Sequence, residues 1–187
     1  MRAVLLIGYM CVGKTTLGRA VAKQLGLRFY DLDWYIEERY HTTVADIFAT
    51  KGEAAFRDVE QRMLHEVAEF EDIVLACGGG TPTFADNMAY MNRVAHTVYL
   101  KADADTILSH LGMSHGNRPL LAGKSPEELA MFVHDQLAVR TPYYEQAHLV
   151  QEIRLLDGFD KVNTIAQEIA HKVQQREVAL RTNPPNE

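Results

Sequence analysis

The segment Gly8–Thr16, which reads Gly-Tyr-Met-Cys-Val-Gly-Lys-Thr-Thr, constrains the fold of this chain more than any other feature. It fits the pattern of a glycine, four further residues and Gly-Lys-[Ser/Thr] that is typical of phosphate-binding loops. The apolar residues 3–7 before it have the length of a buried strand, and apolar residues recur at helical spacing after it until Gly26. Because the motif lies between a strand and a helix, we interpret it as a phosphate loop rather than a glycine-rich turn.

The residue types of this loop suit nucleotide phosphates and a divalent cation. Gly8 and Gly13 allow the backbone to turn its N–H groups towards phosphate oxygens, and the following helix adds the positive end of its dipole. Lys14 can reach the β- and γ-phosphates of ATP, and the Thr15 hydroxyl can ligate Mg²⁺. The other loop residues that we expect to contact the nucleotide are Cys11, Val12 and Thr16.

Length and composition narrow the class of protein. The chain has 187 residues, 47% of them hydrophobic, which predicts one domain over residues 1–177 and a disordered tail over residues 178–187. The net charge of −6 argues against a nucleic-acid-binding surface, and no apolar run approaches membrane-spanning length. Two cysteines do not make a disulfide framework. We expect a cytoplasmic monomer that binds neither nucleic acid nor membranes.

Strand patterns alternate with helical patterns along the whole chain. Short apolar runs recur near residues 27–30, 73–76, 94–100 and 148–150, and helical spacing fills the intervals. Gly52 is predicted to break a short helix that begins near Thr43, and further helices are predicted over residues 84–91 and about 159–175. This alternation predicts an α/β fold, with a parallel sheet between two layers of helices.

Two carboxylates follow the second predicted strand. Asp31 and Asp33 would point the same way in an extended backbone, at the carboxyl edge where open α/β sheets bind ligands. Such a pair suits the water shell of a metal ion and the acceptance of a hydroxyl proton. The alternative is that the two residues cap a helix that begins near Trp34.

Two further features indicate a second binding site. Arg57 lies near the start of a helix predicted over residues 53–70, where a positive charge is unfavourable. It therefore has a functional purpose or forms an ordinary surface contact with Glu60 or Gln61. Gly78–Gly80 follow the third strand, where they permit close approach to a ligand or form a flexible turn. Glycines also bound the segment 112–124, which we expect to be a mobile lid that carries Arg118 over the phosphates.

Together these features resemble the shikimate kinase family. The motifs that carry the resemblance are Asp31-Leu-Asp33, Gly52-Glu-x-x-Phe-Arg57, Gly78-Gly-Gly80, Arg118-Pro-Leu-Leu121 and Arg140-x-x-x-Tyr144, within about residues 2–175. The resemblance implies a three-layer α/β/α fold with five parallel strands and a substrate-binding helical segment at about residues 31–62. It also implies transfer of the γ-phosphate of ATP to the 3-hydroxyl of shikimate.

The resemblance assigns a role to each site residue. On the nucleotide side, Lys14 and Thr15 serve ATP and Mg²⁺, Asp31 holds the water shell of Mg²⁺, and Arg118 contacts phosphate. On the acceptor side, Asp33 binds shikimate hydroxyls and is the catalytic base. Arg57 and Arg140 hold the shikimate carboxylate, and Gly79 and Gly80, with Gly78 beside them, contact the substrate through backbone N–H groups. The catalytic set is Asp33, Lys14 and Arg118.

The chain departs from the family pattern at three places. Family members commonly carry an arginine that stacks on adenine before the lid, where this chain offers only His110. A short polar segment with proline usually follows the last strand, where this chain has residues 157–160, Asp-Gly-Phe-Asp. Cys77 stands where Thr or Ser is common. Adenine recognition is therefore the part of the resemblance that the residues support least.

Two other functions compete with this interpretation. A gluconate-kinase-like enzyme would use the same fold, but the joint presence of Arg57 and Arg140 with the three glycines favours the shikimate kinase pattern. A non-catalytic nucleotide-binding regulator would be expected to lack Lys14, Asp33 or Arg118, and all three are present.

Overall fold

A parallel sheet forms the centre of the computed structural model, which describes residues 1–113 and 124–182. Its strands are β1 (Val4–Ile7), β2 (Arg28–Asp31), β3 (Ile73–Ala76), β4 (His96–Lys101) and β5 (Leu149–Glu152). They pair in parallel in the order β2-β3-β1-β4-β5. The predicted α/β fold with five parallel strands is thereby confirmed.

Helices cover both faces of this sheet. They are α1 (Lys14–Leu25), α2 (Leu32–Tyr40), α3 (Val44–Ala68), α4 (Asn87–Val94), α5 (Ala104–Met113), α6 (Pro126–Tyr144) and α7 (Phe159–Thr182). Within the two described ranges, no helix is long and apolar enough to span a membrane.

The central strand β1 divides the core in two. All four of its residues are buried because helices pack on both faces of the sheet. Side chains alternate between the faces, so Leu5 and Ile7 join the core under α2, α3 and α4, whereas Val4 and Leu6 join the core under α1 and α7. The carboxyl end of β1 therefore leads into the phosphate loop from a fixed position.

The predicted break at Gly52 is present as a kink inside α3. Gly52 has φ 80° and ψ 170°, a conformation that separates two helical segments. The first segment begins at Thr43, whose hydroxyl accepts a hydrogen bond from the Asp46 N–H at 3.1 Å. Arg57 lies just over one turn after the kink, on the second segment.

The segment between β3 and α4 differs from the prediction of a helix over residues 84–91. Thr81–Thr83 form a short 3-10 turn, and α4 begins only at Asn87. Ala85 has a φ of 46°, which interrupts a right-handed helix. The buried Asn87 side chain donates a hydrogen bond to the Thr81 carbonyl at 2.9 Å, which holds this turn against the start of α4.

The last helix is longer than predicted. α7 continues to Thr182, so the prediction of a disordered tail from residue 178 is wrong for residues 178–182. The cause is a long-range anchor, because the Glu177 carboxylate pairs with the buried His96 ring of β4 at 2.7 Å and with Arg181 at 3.0 Å. Residues 183–187 and most of the predicted lid, residues 114–123 with Arg118, lie outside the described residues.

Gly18 should be required for packing of α1 on the sheet. A Cβ there would lie 2.5 Å from the Phe29 ring and 3.3 Å from Leu6 Cδ1. We expect Gly18→Ala to lower the free energy of unfolding by about 1–3 kcal/mol through overpacking, against a gain of about 1 kcal/mol in helix propensity. Urea unfolding measures the change.

Gly112→Ala is the matched control, because Gly112 is also helical and a Cβ there would meet no atom of the described residues within 4 Å. It should leave stability unchanged or raise it by up to about 1 kcal/mol. Stabilisation by both alanines would show that Gly18 does not set the packing distance.

Candidate active site

The phosphate loop connects β1 to α1 in the predicted strand, loop and helix arrangement. Gly8 and Gly13 have φ angles of 141° and 96°, which only glycine adopts readily. Gly13 offers no side chain to cap α1, and the first turn of α1 contains no acidic residue. The N–H groups of that turn therefore remain available to an anion, which the helix dipole also attracts.

Lys14 is folded back onto this loop. Its Nζ donates hydrogen bonds to the carbonyl oxygens of Gly8 at 2.9 Å and Tyr9 at 2.8 Å. Burial lowers the pKa of Lys14 to about 8, although the nearby carboxylate of Asp33 opposes that shift. Burial of the ammonium group in the loop therefore costs desolvation free energy, which a bound phosphate anion would offset.

Asp31 connects the phosphate loop to the β2–α2 junction. One carboxylate oxygen accepts a hydrogen bond from the Thr15 hydroxyl at 2.8 Å, and the other accepts from the Asp33 N–H at 3.2 Å. Asp31 is therefore the N-cap of α2, as the capping alternative predicted. The predicted extended backbone through Asp33 is wrong, because α2 begins at Leu32.

Asp33 nevertheless faces the same cavity as Asp31. Burial, followed by the negative charges of Asp31 and Glu60, raises the pKa of Asp33 to about 6. A carboxyl group with this pKa is ionised above pH 6 and is a stronger base than an ordinary aspartate. The position and the pKa both suit a group that accepts a proton near neutral pH.

Arg57 is held by an ion pair that is not an ordinary surface pair. Its guanidinium contacts Glu60 at 2.8 Å and Glu53 at 3.1 Å. Glu60 is only 1% exposed, and its other oxygen accepts a hydrogen bond from the Thr81 hydroxyl at 2.6 Å. The predicted partner Glu60 is thus correct, but the pair is largely buried. The spacing of three residues was visible in the sequence, whereas the burial of the pair follows from the fold.

The glycine triplet allows side chains of the site to approach the backbone. A Cβ on Gly80 would lie 2.7 Å from Cζ of Arg57, and one on Gly78 would lie 2.6 Å from the Glu60 carboxylate. A Cβ on Gly79 would lie 3.4 Å from the Arg140 guanidinium. Neither Gly78 nor Gly80 could carry a side chain without displacing a charged group. The two guanidinium groups therefore lie against adjacent residues of one loop.

Two aromatic residues support this arrangement and were not singled out for that role from the sequence. The Arg140 guanidinium lies over the Tyr9 ring, 5.5 Å from its centroid. The buried Tyr144 hydroxyl donates a short hydrogen bond to the Gly79 carbonyl. Because a peptide group is planar, this bond also fixes the direction of the Gly80 N–H. The interval of four residues between Arg140 and Tyr144 was the only signal in the sequence.

One cavity of about 360 Å³ brings most of the predicted residues together. The predicted residues that line it are Cys11, Gly13, Lys14, Thr15, Thr16, Asp31, Asp33, Gly78 and Gly79. Among the described residues, Gly8, Val12, Arg57, Gly80 and Arg140 do not line it. Gly8 contacts Lys14, and Gly80 and Arg57 lie at the end of the triplet, whereas the Val12 side chain is buried in the core.

The cavity offers oxygen ligands rather than a closed metal cage. Among the described residues, no group of three or more His, Cys, Asp or Glu side chains is arranged to hold a metal ion. The paired oxygens of Thr15 and Asp31 fit Mg²⁺, which prefers oxygen ligands and usually takes most of them from phosphates and water. Cys77 is buried, and burial raises the pKa of its thiol, so it is not a nucleophile.

Comparison with known proteins gives consistent relatives over nearly the whole chain. The shikimate kinase family model matches residues 10–174. A shikimate kinase from Bacteroides fragilis is 47% identical over 169 residues, 90% of this chain and 94% of the relative. One from Phocaeicola vulgatus is 51% identical over 158 residues, 84% of this chain and 90% of the relative.

Solved structures extend this similarity to the fold. The shikimate kinase of Bacteroides thetaiotaomicron has a TM-score of 0.89 at 44% identity, and covers 92% of this chain and 98% of its own. The shikimate kinase of Acinetobacter baumannii in complex with shikimate has a TM-score of 0.82 at 33% identity, with 94% of both chains covered. A gluconokinase from Sinorhizobium meliloti covers 95% of this chain and 96% of its own, but its TM-score of 0.57 at 13% identity shows a common fold alone.

The raised pKa of Asp33 should make its charge destabilising in the free protein. The folded-state pKa of about 6 lies above the ordinary value for an aspartate, so ionisation of Asp33 lowers the free energy of unfolding. This loss develops as pH rises from the unfolded-state pKa through the folded-state pKa. We expect Asp33→Asn to raise the free energy of unfolding by about 1–3 kcal/mol at pH 8 and to have little effect near pH 4. Urea unfolding at both pH values measures this.

Asp103→Asn is a control of opposite sign. Its hydrogen bond from Thr106 lowers the pKa of Asp103, so the ionised form is stabilising above the unfolded pKa and that stability is lost as pH falls through the folded pKa. Asp103→Asn should therefore reduce stability at pH 8. A loss of stability at pH 8 in the Asp33 variant as well would contradict the charge state assigned to Asp33.

Proposed function

This chain belongs to the shikimate kinase family, and we propose from that premise how its residues carry out the family's reaction. The reaction is transfer of the γ-phosphate of ATP to the 3-hydroxyl of shikimate. The observation that carries the proposal is the pair of guanidinium groups of Arg57 and Arg140 against Gly79 and Gly80, beside a cavity that the phosphate loop, Asp33 and Gly79 line.

The phosphates of ATP bind at the N-terminus of α1. Lys14 exchanges its hydrogen bonds to the Gly8 and Tyr9 carbonyls for bonds to negatively charged phosphate oxygens, which favour its charged form. Thr15 and Asp31 would hold Mg²⁺, Asp31 through its water shell, and the cation when bound neutralises phosphate charge. Thr16 and the backbone of residues 11–13 complete the contacts, and Arg118 supplies a further positive charge from the lid.

Shikimate binds with its carboxylate against the glycine triplet. Arg57 and Arg140 donate to the carboxylate oxygens from two sides, because planar guanidinium groups match a carboxylate in pairs of parallel hydrogen bonds. The Glu60 ion pair fixes the plane of Arg57, and the Tyr144 hydrogen bond directs the backbone N–H of Gly80. Residues of about 31–62, which comprise α2 and the first part of α3, form the substrate-binding segment.

Asp33 is the group that orients the attacking hydroxyl. Its carboxylate lies in the cavity between the phosphate loop and Gly78, and a Cβ on Gly78 would be 3.6 Å from it. With a pKa of about 6, the group is ionised at neutral pH and can accept the hydroxyl proton as the phosphoryl group is transferred. Lys14, Asp33 and Arg118 thus form the catalytic set.

The protein is further proposed to act as a cytoplasmic monomer without a nucleic-acid partner. The net charge of −6 would repel a nucleic acid. Cys11 and Cys77 do not form a disulfide, as is usual for proteins of a reducing compartment.

A coupled assay with ATP and each of shikimate, gluconate and nucleoside monophosphates tests the reaction. Product formation is expected with shikimate only.

Asp33→Asn should lower turnover at least ~10²-fold, the scale of general-base contributions. The dissociation constant for ADP should change less than about twofold, because the phosphate contacts are unchanged. Near-normal turnover of this variant would contradict the role of Asp33, and comparable rates with gluconate would contradict the acceptor.

Replacement of Arg57 separates the two binding sites. Arg57→Lys keeps the charge but loses the planar pair of donors, so shikimate binding should weaken by roughly 2–3 kcal/mol, the scale of hydrogen bonds to charged groups. ATP affinity without shikimate should stay within about twofold. Calorimetric titration of each ligand gives both values.

Arg62→Lys is the control for this variant. Arg62 lies on the same helix, is exposed, and donates to its own helix at the Asp58 carbonyl. It should bind both ligands as the wild type does. Weakened ATP binding with intact shikimate binding in Arg57→Lys would move Arg57 to the nucleotide side.

A further inference from the structure

His110 joins three segments that are distant in the chain. It lies in the last turn of α5 and is only 7% exposed. Its Nδ1 lies 2.9 Å from the Cys11 carbonyl oxygen in the phosphate loop, and its Nε2 accepts a hydrogen bond from the Leu156 N–H at 3.0 Å, after β5. Both ring nitrogens are therefore occupied by backbone groups.

The two partners fix the protonation of the ring. Since a carbonyl oxygen can only accept, Nδ1 carries the proton and donates it to Cys11. Since the Leu156 N–H can only donate, Nε2 carries no proton and accepts this bond through its lone pair. Only a side chain with a donor and an acceptor at this separation can bridge the two segments. Arginine, which has no acceptor, cannot make the second bond.

Both bonds hold parts of the nucleotide site. Cys11 has a φ of 62°, an unfavourable conformation for a residue with a side chain, and its hydrogen bond to His110 stabilises it. The Leu156 side chain packs directly over Gly13, so closely that Gly13 could not carry a Cβ. The segment after β5 therefore packs on the phosphate loop through the Leu156 side chain, and the hydrogen bond to His110 holds it there.

A second cavity adjoins the contact between Leu156 and the phosphate loop. It has a volume of about 450 Å³, and its lining includes Thr16, Leu156 and the exposed ring of Phe159. Thr16 also lines the phosphate cavity, so the two spaces are neighbours at the start of α1. A nucleotide whose phosphates occupy the first cavity can place its nucleoside part towards the second.

We propose that His110 is a positioning residue of the nucleotide site, which fixes the segment around Leu156 against the phosphate loop and so sets the affinity for the nucleoside part. This inference rests on the proposed binding of ATP. It assigns a role to the residue that this chain carries in the region where family members commonly have an arginine that stacks on adenine. The imidazole acts through the backbone of Cys11 and Leu156 rather than by stacking on the base.

Two variants separate the two hydrogen bonds. His110→Asn keeps an amide donor near the position of Nδ1 and loses the acceptor for Leu156. His110→Gln can place its amide oxygen near the position of Nε2 and so keeps that acceptor. His110→Ala removes both bonds, and His171→Asn, on the exposed face of α7, is the matched control.

The probes are ADP and inorganic tripolyphosphate, titrated by calorimetry into the full-length chain. We expect His110→Asn to weaken ADP binding about fivefold, the equivalent of one hydrogen bond, and to leave tripolyphosphate binding within about twofold. His110→Gln should recover most of the ADP affinity, His110→Ala should weaken both probes, and His171→Asn should change neither. In steady-state assays the KM for ATP should rise in His110→Asn while the KM for shikimate and kcat stay unchanged.

Three results would overturn the proposal. They are unchanged ADP binding in His110→Asn, an equal loss for ADP and tripolyphosphate in that variant, and no recovery in His110→Gln while its melting temperature equals that of the wild type. The titrations contain no acceptor. The titrations would therefore give the same result if shikimate were not the acceptor. A failure of the His110 proposal can thus be told apart from a failure of the proposed reaction.

Discussion

The close approach of charged side chains to the backbone of Gly78–Gly80 is the constraint on which the site depends. Without Cβ atoms at Gly78 and Gly80, the Glu60 carboxylate and the Arg57 guanidinium can pack against the loop. The buried ion pair of these two residues is stable because Thr81 satisfies the second oxygen of Glu60. The sheet places this loop beside the phosphate loop, because β3 and β1 are parallel neighbours and both end at the same edge.

Much of the fold could be predicted from the sequence because the responsible signals are local. The five apolar runs, the break at Gly52 and the strand and helix that flank Gly8–Thr16 depend on spacing and on the special conformations of glycine. The elements that differ depend on features that the spacing of residues does not show. α7 passes residue 177 because His96 of β4 binds Glu177, and residues 84–86 are not helical because Ala85 has a positive φ.

The candidate site shows the same division. Lys14, Thr15, Asp31 and Asp33 were predicted from motifs, and the structure places them around one cavity. The residues that hold the others in place were not identified in these roles. Glu60, Tyr144 and His110 act through hydrogen-bond partners that lie 21 to 99 positions away in the chain, and those pairings follow from the tertiary fold. Asp33 faces the cavity from the first turn of α2 and not from the extended backbone that was predicted.

The central claim is that two guanidinium groups on a glycine loop select an acceptor with a carboxylate. Calorimetric titration of shikimate and of its methyl ester into the ADP-bound protein tests this without altering the chain. The ester keeps the ring and its hydroxyls but offers Arg57 and Arg140 neutral oxygens in place of a negatively charged carboxylate. We predict that the ester binds at least about tenfold more weakly, since hydrogen bonds to a charged group contribute roughly 1.5–3 kcal/mol. Equal affinities would contradict it.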